Sequence, residues 1–136
     1  MYKRILVAYD GSAPSSKAVD VAFEMARRDG AAVTVLTVAE VPEVADDVET
    51  EASLEQTRQH DQGLLQGLDQ RCDRLGFVPT RVMAVGHPAR QILEHAGEAD
   101  LVVLGHRGRG FFDRWLLGSV AHRVVSLADC DVLVVR

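Results

Sequence analysis

Short apolar runs alternate along the chain with longer segments in which apolar residues recur every three or four positions. Runs of four to six residues rich in β-branched side chains are typical of buried strands. Five runs predict strands, three of them clearly and the last two less so: Ile5 to Tyr9, Val33 to Val38, Leu101 to Leu104, Arg81 to Val85 and Val132 to Val135. Continuous rather than alternating apolarity indicates that both faces of the sheet are covered, as in a parallel sheet between helices.

The segments between these runs have a helical period. They predict four helices: Ser15 to Asp29, Leu54 to Leu75, Pro88 to Ala96 and Ser119 to Ala128. Glycines follow the first three helices, where a helix commonly ends. Strict alternation of strands and helices with right-handed crossovers predicts an α/β fold, a doubly wound parallel sheet of five strands in a three-layer arrangement.

Composition limits the class of protein further. The chain has 136 residues, of which 47% are apolar and 26% charged, and it predicts one domain over residues 1–136. A net charge of -5 argues against a protein that binds nucleic acid by neutralising phosphates. No apolar run reaches the ~20 residues of a membrane span, and Cys72 and Cys130 belong to no ligand cluster. These features predict a cytoplasmic protein with reduced thiols.

One acidic segment lacks the helical period. Residues 39–53, before the second helix, predict a loop of unusual length, and the stretch from Glu40 to Glu55 holds seven acids and no base. We expect this stretch to be a mobile lid at the mouth of a binding site. The alternative is a solvated loop with no coupling to the site.

Two segments would meet at the carboxyl end of such a sheet, where ligands bind in open α/β folds. The first is Ala8-Tyr9-Asp10-Gly11-Ser12, whose Asp10 carboxylate can accept hydrogen bonds from ribose hydroxyls. The second begins at Leu104-Gly105-His106-Arg107-Gly108 and continues to the helix start at Gly118-Ser119. Its glycines allow a close backbone approach, the helix start attracts phosphate, and Arg107 can balance phosphate charge. The alternatives are ordinary turn glycines and simple helix caps.

Other kinds of site fit the sequence less well. The chain has only two lysines, neither of them near the glycine-rich segment, so the P-loop pattern is absent, and so is the dinucleotide fingerprint after the first strand. Ser119 and His122 have a spacing that suits a nucleophile and a base, but no nucleophile elbow surrounds the serine. The five histidines have no paired metal-ligand spacing. We therefore predict neither catalytic residues nor a protein metal site.

The glycine pattern resembles a known signature. Gly105-x2-Gly108-x9-Gly118-Ser119 is similar to the ATP-binding signature of the universal stress protein family. The resemblance spans the chain and includes Tyr9-Asp10-Gly11-Ser12, Gly86-His87-Pro88 and the last strand. It implies the adenine nucleotide alpha hydrolase-like fold with strand order 3-2-1-4-5. Cys130, directly before the last strand, departs from the proline that is usual in the family.

The resemblance also implies roles for individual residues. It assigns the nucleoside to Asp10 with the backbone of Ala8 and Tyr9, and adenine to the main chain of Val38. It assigns the ribose and phosphates to the glycine loop and the following helix start: Gly105, Gly108, Gly118, Ser119, Val120 and Ala121. Leu104 stands where the family often has methionine.

The expected function is that of an ATP-binding regulatory protein of the stress response. The resemblance implies a homodimer formed through the last strand, Val132 to Val135, and an unidentified regulatory protein partner. Mg²⁺ or Mn²⁺ would be held mainly by phosphate oxygens and water. Two alternatives remain open, a slow ATPase and a dimerisation module that needs no nucleotide.

Overall fold

Strands and helices alternate in the computed structural model, which describes residues 1–39, 47–107 and 118–136. The described residues form β1 (Arg4–Ala8), α1 (Ala13–Asp29), β2 (Ala32–Ala39), α2 (Asp47–Leu75), β3 (Thr80–Val85), α3 (Pro88–Ala96), β4 (Leu101–Gly105), α4 (Ser119–Leu127) and β5 (Asp131–Val135). The predicted alternation is confirmed. Apart from the start of α2, the predicted boundaries agree with these bounds to within two residues.

All four strand pairs are parallel, and the strand order is β3-β2-β1-β4-β5, as predicted. The central strand β1 pairs with β2 on one side and β4 on the other, so that Val7 lies between Val35 and Val103. The strand order reverses between β1 and β4. The carboxyl ends of these two strands therefore form the switch point at which α/β sheets commonly bind ligands.

A hydrophobic core covers each face of the sheet. On one face Ile5 and Val7 pack with α1 and the second half of α2, where the rings of Phe23 and Phe77 stack with centroids 4.9 Å apart. On the other face Leu6 and Val102 pack with α3 and α4. Alternate residues of β1 thus enter different cores, which is why the central strands read as continuous apolar runs, whereas the edge strand β3 exposes alternate residues such as Met83 and Val85.

Helix α1 begins two residues earlier than predicted because Ser12 caps it. The Ser12 Oγ accepts a hydrogen bond from the Ser15 N–H at 3.3 Å, and Pro14 occupies the first turn, where a missing N–H costs nothing. Gly30, with φ of 70°, ends the helix in the left-handed conformation.

The predicted loop at residues 39–53 is wrong for its second part. Helix α2 begins at Asp47 rather than Leu54, so the backbone of the acidic stretch from Asp47 to Glu55 is helical. Acidic residues favour the first turns of a helix because they complement its dipole, and a helix with little apolar character shows no period in the sequence. The expected loop is therefore wrong for residues 47–53, residues 40–46 lie outside the described residues, and the lid stays a prediction.

Side chains tie the amino end of the sheet together. The Asp100 carboxylate, just before β4, accepts hydrogen bonds from the backbone N–H groups of Lys3 at 2.9 Å and Arg4 at 3.0 Å. The Tyr2 hydroxyl donates to the Asp131 carboxylate at 2.8 Å. These bonds join β1 to β4 and β5 at the end opposite the switch point. Among the described residues, no helix is long and apolar enough to cross a membrane.

Candidate functional site

The turn between β1 and α1 forms one wall of the candidate site. The Asp10 Oδ1 accepts a hydrogen bond from the Ser12 N–H at 2.9 Å, and the Asp10 N–H donates to the Ser15 Oγ at 3.3 Å. The Ser15 hydroxyl in turn donates to the Ser12 carbonyl at 3.0 Å. Ser12 therefore caps α1, and Asp10 helps to close the same turn.

Gly11 gives this turn its shape. Its φ of 82° lies in the left-handed region that favours glycine, and the Leu64 side chain of α2 fills the space that a Cβ on Gly11 would need. Tyr9, before it, is 5% exposed and its N–H donates to the Leu36 carbonyl at 2.9 Å. The Leu36 carbonyl of β2 and the Leu64 side chain of α2 thus hold this wall in place.

Val38 lies beside this wall. Strands β1 and β2 are in register at Ala8 and Leu36, so the position two residues further along β2, Val38, is level with Asp10 beyond the end of β1. The structure thus brings together the predicted residues Ala8, Tyr9, Asp10 and Val38.

The second wall starts at Gly105, the last residue of β4. A Cβ on Gly105 would lie 2.7 Å from the Pro14 carbonyl carbon and 2.8 Å from the Ser15 nitrogen. The sequence predicts that a glycine at this position lets a ligand approach the backbone. The structure shows a second reason why this position needs a glycine. Gly105 lets the end of β4 touch the first turn of α1.

His106 connects β4 to two other elements through its backbone. Its N–H donates to the Val135 carbonyl at 2.7 Å, and its carbonyl accepts from the Gly118 N–H at 2.8 Å. The end of β5 and the start of α4 are therefore both held by the backbone of His106. The His106 Nδ1 atom is buried and has no hydrogen-bond partner among the described residues. Burial, with the positive charges of Arg107 and Arg136, lowers the pKa of His106 below its usual 6.5.

Helix α4 begins without a side-chain cap. Gly118 occupies the cap position in an extended conformation, with φ of -60° and ψ of 154°, and no side chain of the described residues accepts from the first turn. The first-turn amides belong to Ser119, Val120 and Ala121, whose N–H groups come before the intrahelical ladder starts. Together with the helix dipole, these amides favour an anion at this end of α4.

Burial decides which predicted residues can offer a side chain. Leu104 and Ala121 are buried in the core between the sheet and α4, and Val120 packs against that core, so all three can serve a ligand mainly through the backbone. Ser119 is exposed, and Arg107 is 8% exposed. Gly108 lies outside the described residues, as does the following segment to Leu117.

Two residues of the wall were missed in the sequence. The sequence gives neither Leu64 nor Gly67 a role in the site, although the Leu64 side chain contacts Gly11 and a Cβ at Gly67 would lie 3.3 Å from the Tyr9 hydroxyl. A glycine inside a helix is unfavourable and often marks a close approach, so Gly67 was the available signal. Among the described residues, no group of three His, Cys, Asp or Glu side chains is placed to hold a metal ion.

Comparison with known proteins agrees with this architecture. Residues 1–136 match the model of the universal stress protein family. Universal stress protein YxiE of Bacillus subtilis is 33% identical over the whole of both chains. The structure of universal stress protein UspA from Lactobacillus plantarum superposes with a TM-score of 0.90 at 27% identity, covering 99% of this chain and 98% of that one. A universal stress protein in complex with cAMP gives a TM-score of 0.73 at 28% identity, covering 99% and 97%.

Proposed function

Because the chain belongs to the universal stress protein family, we propose that it is an ATP-binding regulatory protein whose site lies at the switch point between β1 and β4. The nucleotide would change a surface that the protein offers to a partner in the stress response. The two free thiols, Cys72 and Cys130, suit the reducing cytoplasm in which we place the protein.

The start of α4 carries the proposal. A glycine cap leaves the first-turn amides of this helix without a side-chain acceptor, and the close contact of Gly105 with Pro14 brings that region next to the β1–α1 turn. Two helix starts therefore converge where the strand order reverses. Such an arrangement favours a ligand that carries phosphate at one end.

The described residues fit the parts of an adenine nucleotide. Asp10 would accept from the ribose hydroxyls, and the main chain of Val38, level with Asp10, would contact adenine. The amides of Ser119, Val120 and Ala121 would bind the phosphates, while Gly105, Gly108 and Arg107 would line the loop beneath them. The related structure with cAMP supports an adenine nucleotide as the class of ligand.

A divalent ion would accompany the phosphates. The described residues offer no ready set of three protein ligands, so Mg²⁺ or Mn²⁺ would be held mainly by phosphate oxygens and water, with the Ser119 hydroxyl nearby. The ion would neutralise phosphate charge. Hydrolysis should be absent or far below the ~1 to 100 turnovers per second of kinases. Several turnovers per second by rigorously purified protein would favour the ATPase alternative.

We propose a homodimer formed through β5. This strand is at one edge of the sheet, and because the Val135 carbonyl bonds to His106 on the β4 side, the N–H of Val134 faces outward. Val125 and Leu127 of α4 are exposed on the neighbouring helix, 48% and 59% respectively. Pairing two β5 edges about a two-fold axis would satisfy both strands.

The dimer can be tested at Val134. Val134→Pro removes an outward donor and leaves the bonds to β4 in place, so sedimentation should show a dimer for the wild type and a monomer for this variant. A wild-type monomer at micromolar concentration would contradict the dimer.

Titration calorimetry with ATP tests the binding site. Gly118→Val places a branched side chain at the cap of α4 and should weaken binding by several kcal/mol. Gly97→Val is the matched control, because a Cβ there meets only the Glu94 carbonyl at 3.6 Å, away from the site. Circular dichroism checks the fold of both variants. Equal affinity of the wild type and Gly118→Val would overturn the assignment.

A further inference from the structure

Helix α2 packs on the turn that carries Asp10. The Leu64 side chain occupies the space beside Gly11 that any other residue would fill with its Cβ. One turn later, Gly67 allows the Tyr9 hydroxyl to come close to the helix backbone. The helix therefore contacts the two residues on either side of Asp10, and neither contact involves the Asp10 carboxylate or the Tyr9 backbone that the nucleotide assignment uses.

These contacts belong to one face of α2. Leu64, Gly67, Leu68 and Arg71 recur at helical spacing; Leu68 is 1% exposed, and Arg71 pairs with Asp20 of α1 at 3.0 Å. Leu75, at the end of the helix, is also partly buried against the same core. The part of this face from Leu68 to Leu75 packs against the core beside α1, and Leu64 contacts the β1–α1 turn.

Short-range bonds also help to close the Asp10 turn. Asp10 forms hydrogen bonds with Ser12 and Ser15, two and five residues away. Gly11, between Asp10 and Ser12, has a positive φ and contributes no side chain to the packing of the turn. The Leu64 side chain of α2 packs against Gly11 and fills this space. A shift of α2 would therefore change the packing on the turn that presents Asp10.

We propose that Leu64 is a positioning residue for the nucleotide and that α2 responds to the occupancy of the site through it. This inference rests on the proposed ATP site and extends it. Leu64 does not touch the nucleotide; it fixes the turn that holds the Asp10 carboxylate. Because linkage is reciprocal, a nucleotide that orders the turn also orders the helix packed on it. The helix extends for 17 residues before Leu64, about 25 Å, so a tilt there displaces its first turns.

The test compares two leucines of the same helix. Leu64→Ala and Leu75→Ala each truncate a partly buried leucine of α2 against the same core, but only Leu64 contacts the Asp10 turn. Calorimetry should show ATP affinity reduced about fivefold by Leu64→Ala and less than twofold by Leu75→Ala. Leu64→Met, which can refill the space, should restore most of the affinity. Urea unfolding establishes that both alanine variants remain folded.

Hydrogen exchange provides the second readout. ATP should protect the amides around Leu64 to Leu68 in the wild type and in Leu75→Ala, but not in Leu64→Ala at a saturating ATP concentration. ATP affinity of Leu64→Ala equal to that of the wild type, or an equal loss in Leu75→Ala, would overturn this inference alone. A wild-type protein that does not bind ATP would overturn the proposed function and this inference with it.

Discussion

The two ends of the sheet are held together in different ways. At the amino end, side chains bond across large sequence distances: Asp100 accepts from Lys3 and Arg4, and Tyr2 donates to Asp131. At the carboxyl end, the β1–α1 turn is shaped by side-chain bonds between residues two to five positions apart, such as Asp10 with Ser12 and Ser12 with Ser15, although Lys17 of α1 also donates to the Arg136 carbonyl at 3.1 Å.

The difference separates stability from binding. Long-range bonds at the amino end connect the segment before β1 to the starts of β4 and β5, and the Asp100 carboxylate satisfies two backbone donors. Short-range bonds at the carboxyl end shape a turn, while the first amides of α4 have no side-chain cap among the described residues. We therefore expect changes at the amino end to alter the free energy of unfolding alone, and changes at the carboxyl end to alter ATP binding as well.

The largest effect is expected from Gly105→Ala, which should lower both the free energy of unfolding and the affinity for ATP. A Cβ there would meet the Pro14 and Ser15 backbone at 2.7 to 2.8 Å, so β4 and α1 must separate. We expect a loss of about 3 kcal/mol in the free energy of unfolding and weaker ATP binding. Urea unfolding and calorimetry measure the two. Gly63→Ala is the control, since a Cβ at Gly63 meets nothing within 4 Å and should not destabilise α2.

Asp100→Ala should reduce stability alone. It leaves the N–H groups of Lys3 and Arg4 without their acceptor, and we expect a cost of about 2 kcal/mol with unchanged ATP affinity. The same bonds, first that from Lys3, hold the pKa of Asp100 below 3.8. Its stabilisation is therefore present above that pH and is lost as pH falls through the lowered pKa. Weaker ATP binding in a folded Asp100→Ala protein would break the separation between the two ends.

A smaller loss is expected from Ser12→Ala, which removes the cap of α1. Deleting the acceptor for the Ser15 N–H should cost about 1 kcal/mol, and ATP affinity should fall because the Asp10 turn loosens. Ser126→Ala is a suitable control: its hydroxyl donates to the His122 carbonyl at the exposed end of α4, away from the turn. Equal effects of the two changes on ATP affinity would contradict the assignment of this turn to the site.

The smallest effect concerns pH and His106. Burial and the nearby Arg107 and Arg136 lower its pKa, so the folded protein disfavours the protonated ring. The stabilisation is complete above pH 6.5, the ordinary value, and is lost as pH falls from there toward the lowered pKa. Urea midpoints at about pH 7.5 and 5.5 should therefore fall more for the wild type than for His106→Gln. An equal fall would contradict this.

The fold could be predicted from the sequence because the central strands β1, β2 and β4 are largely buried on both faces. Val33 to Val38 and Leu101 to Leu104 are continuous apolar runs, and glycines follow the first three helices. The start of α2 was misplaced because its first turns have no apolar stripe and are favoured by acidic side chains instead.

The candidate site could be predicted only in part. Tyr9, Asp10, Gly105 and Gly118 are recognisable from their order and spacing, and the structure brings their elements together. The sequence does not reveal what each glycine faces. Gly105 faces the backbone of α1, and Gly11 faces Leu64, which is more than fifty residues away in the chain. Such contacts depend on how two elements pack, and no local pattern encodes them.

The most direct test of the account is an ATP titration followed by two-dimensional ¹⁵N–¹H spectra of the full chain. We predict that the amide signals of Asp10, Gly11, Gly105 and Ser119 shift with saturation, while those of Lys3, Arg4 and Asp131 at the amino end stay in place. The absence of any shift, or shifts centred on the amino end of the sheet, would contradict a nucleotide site at the switch point between β1 and β4.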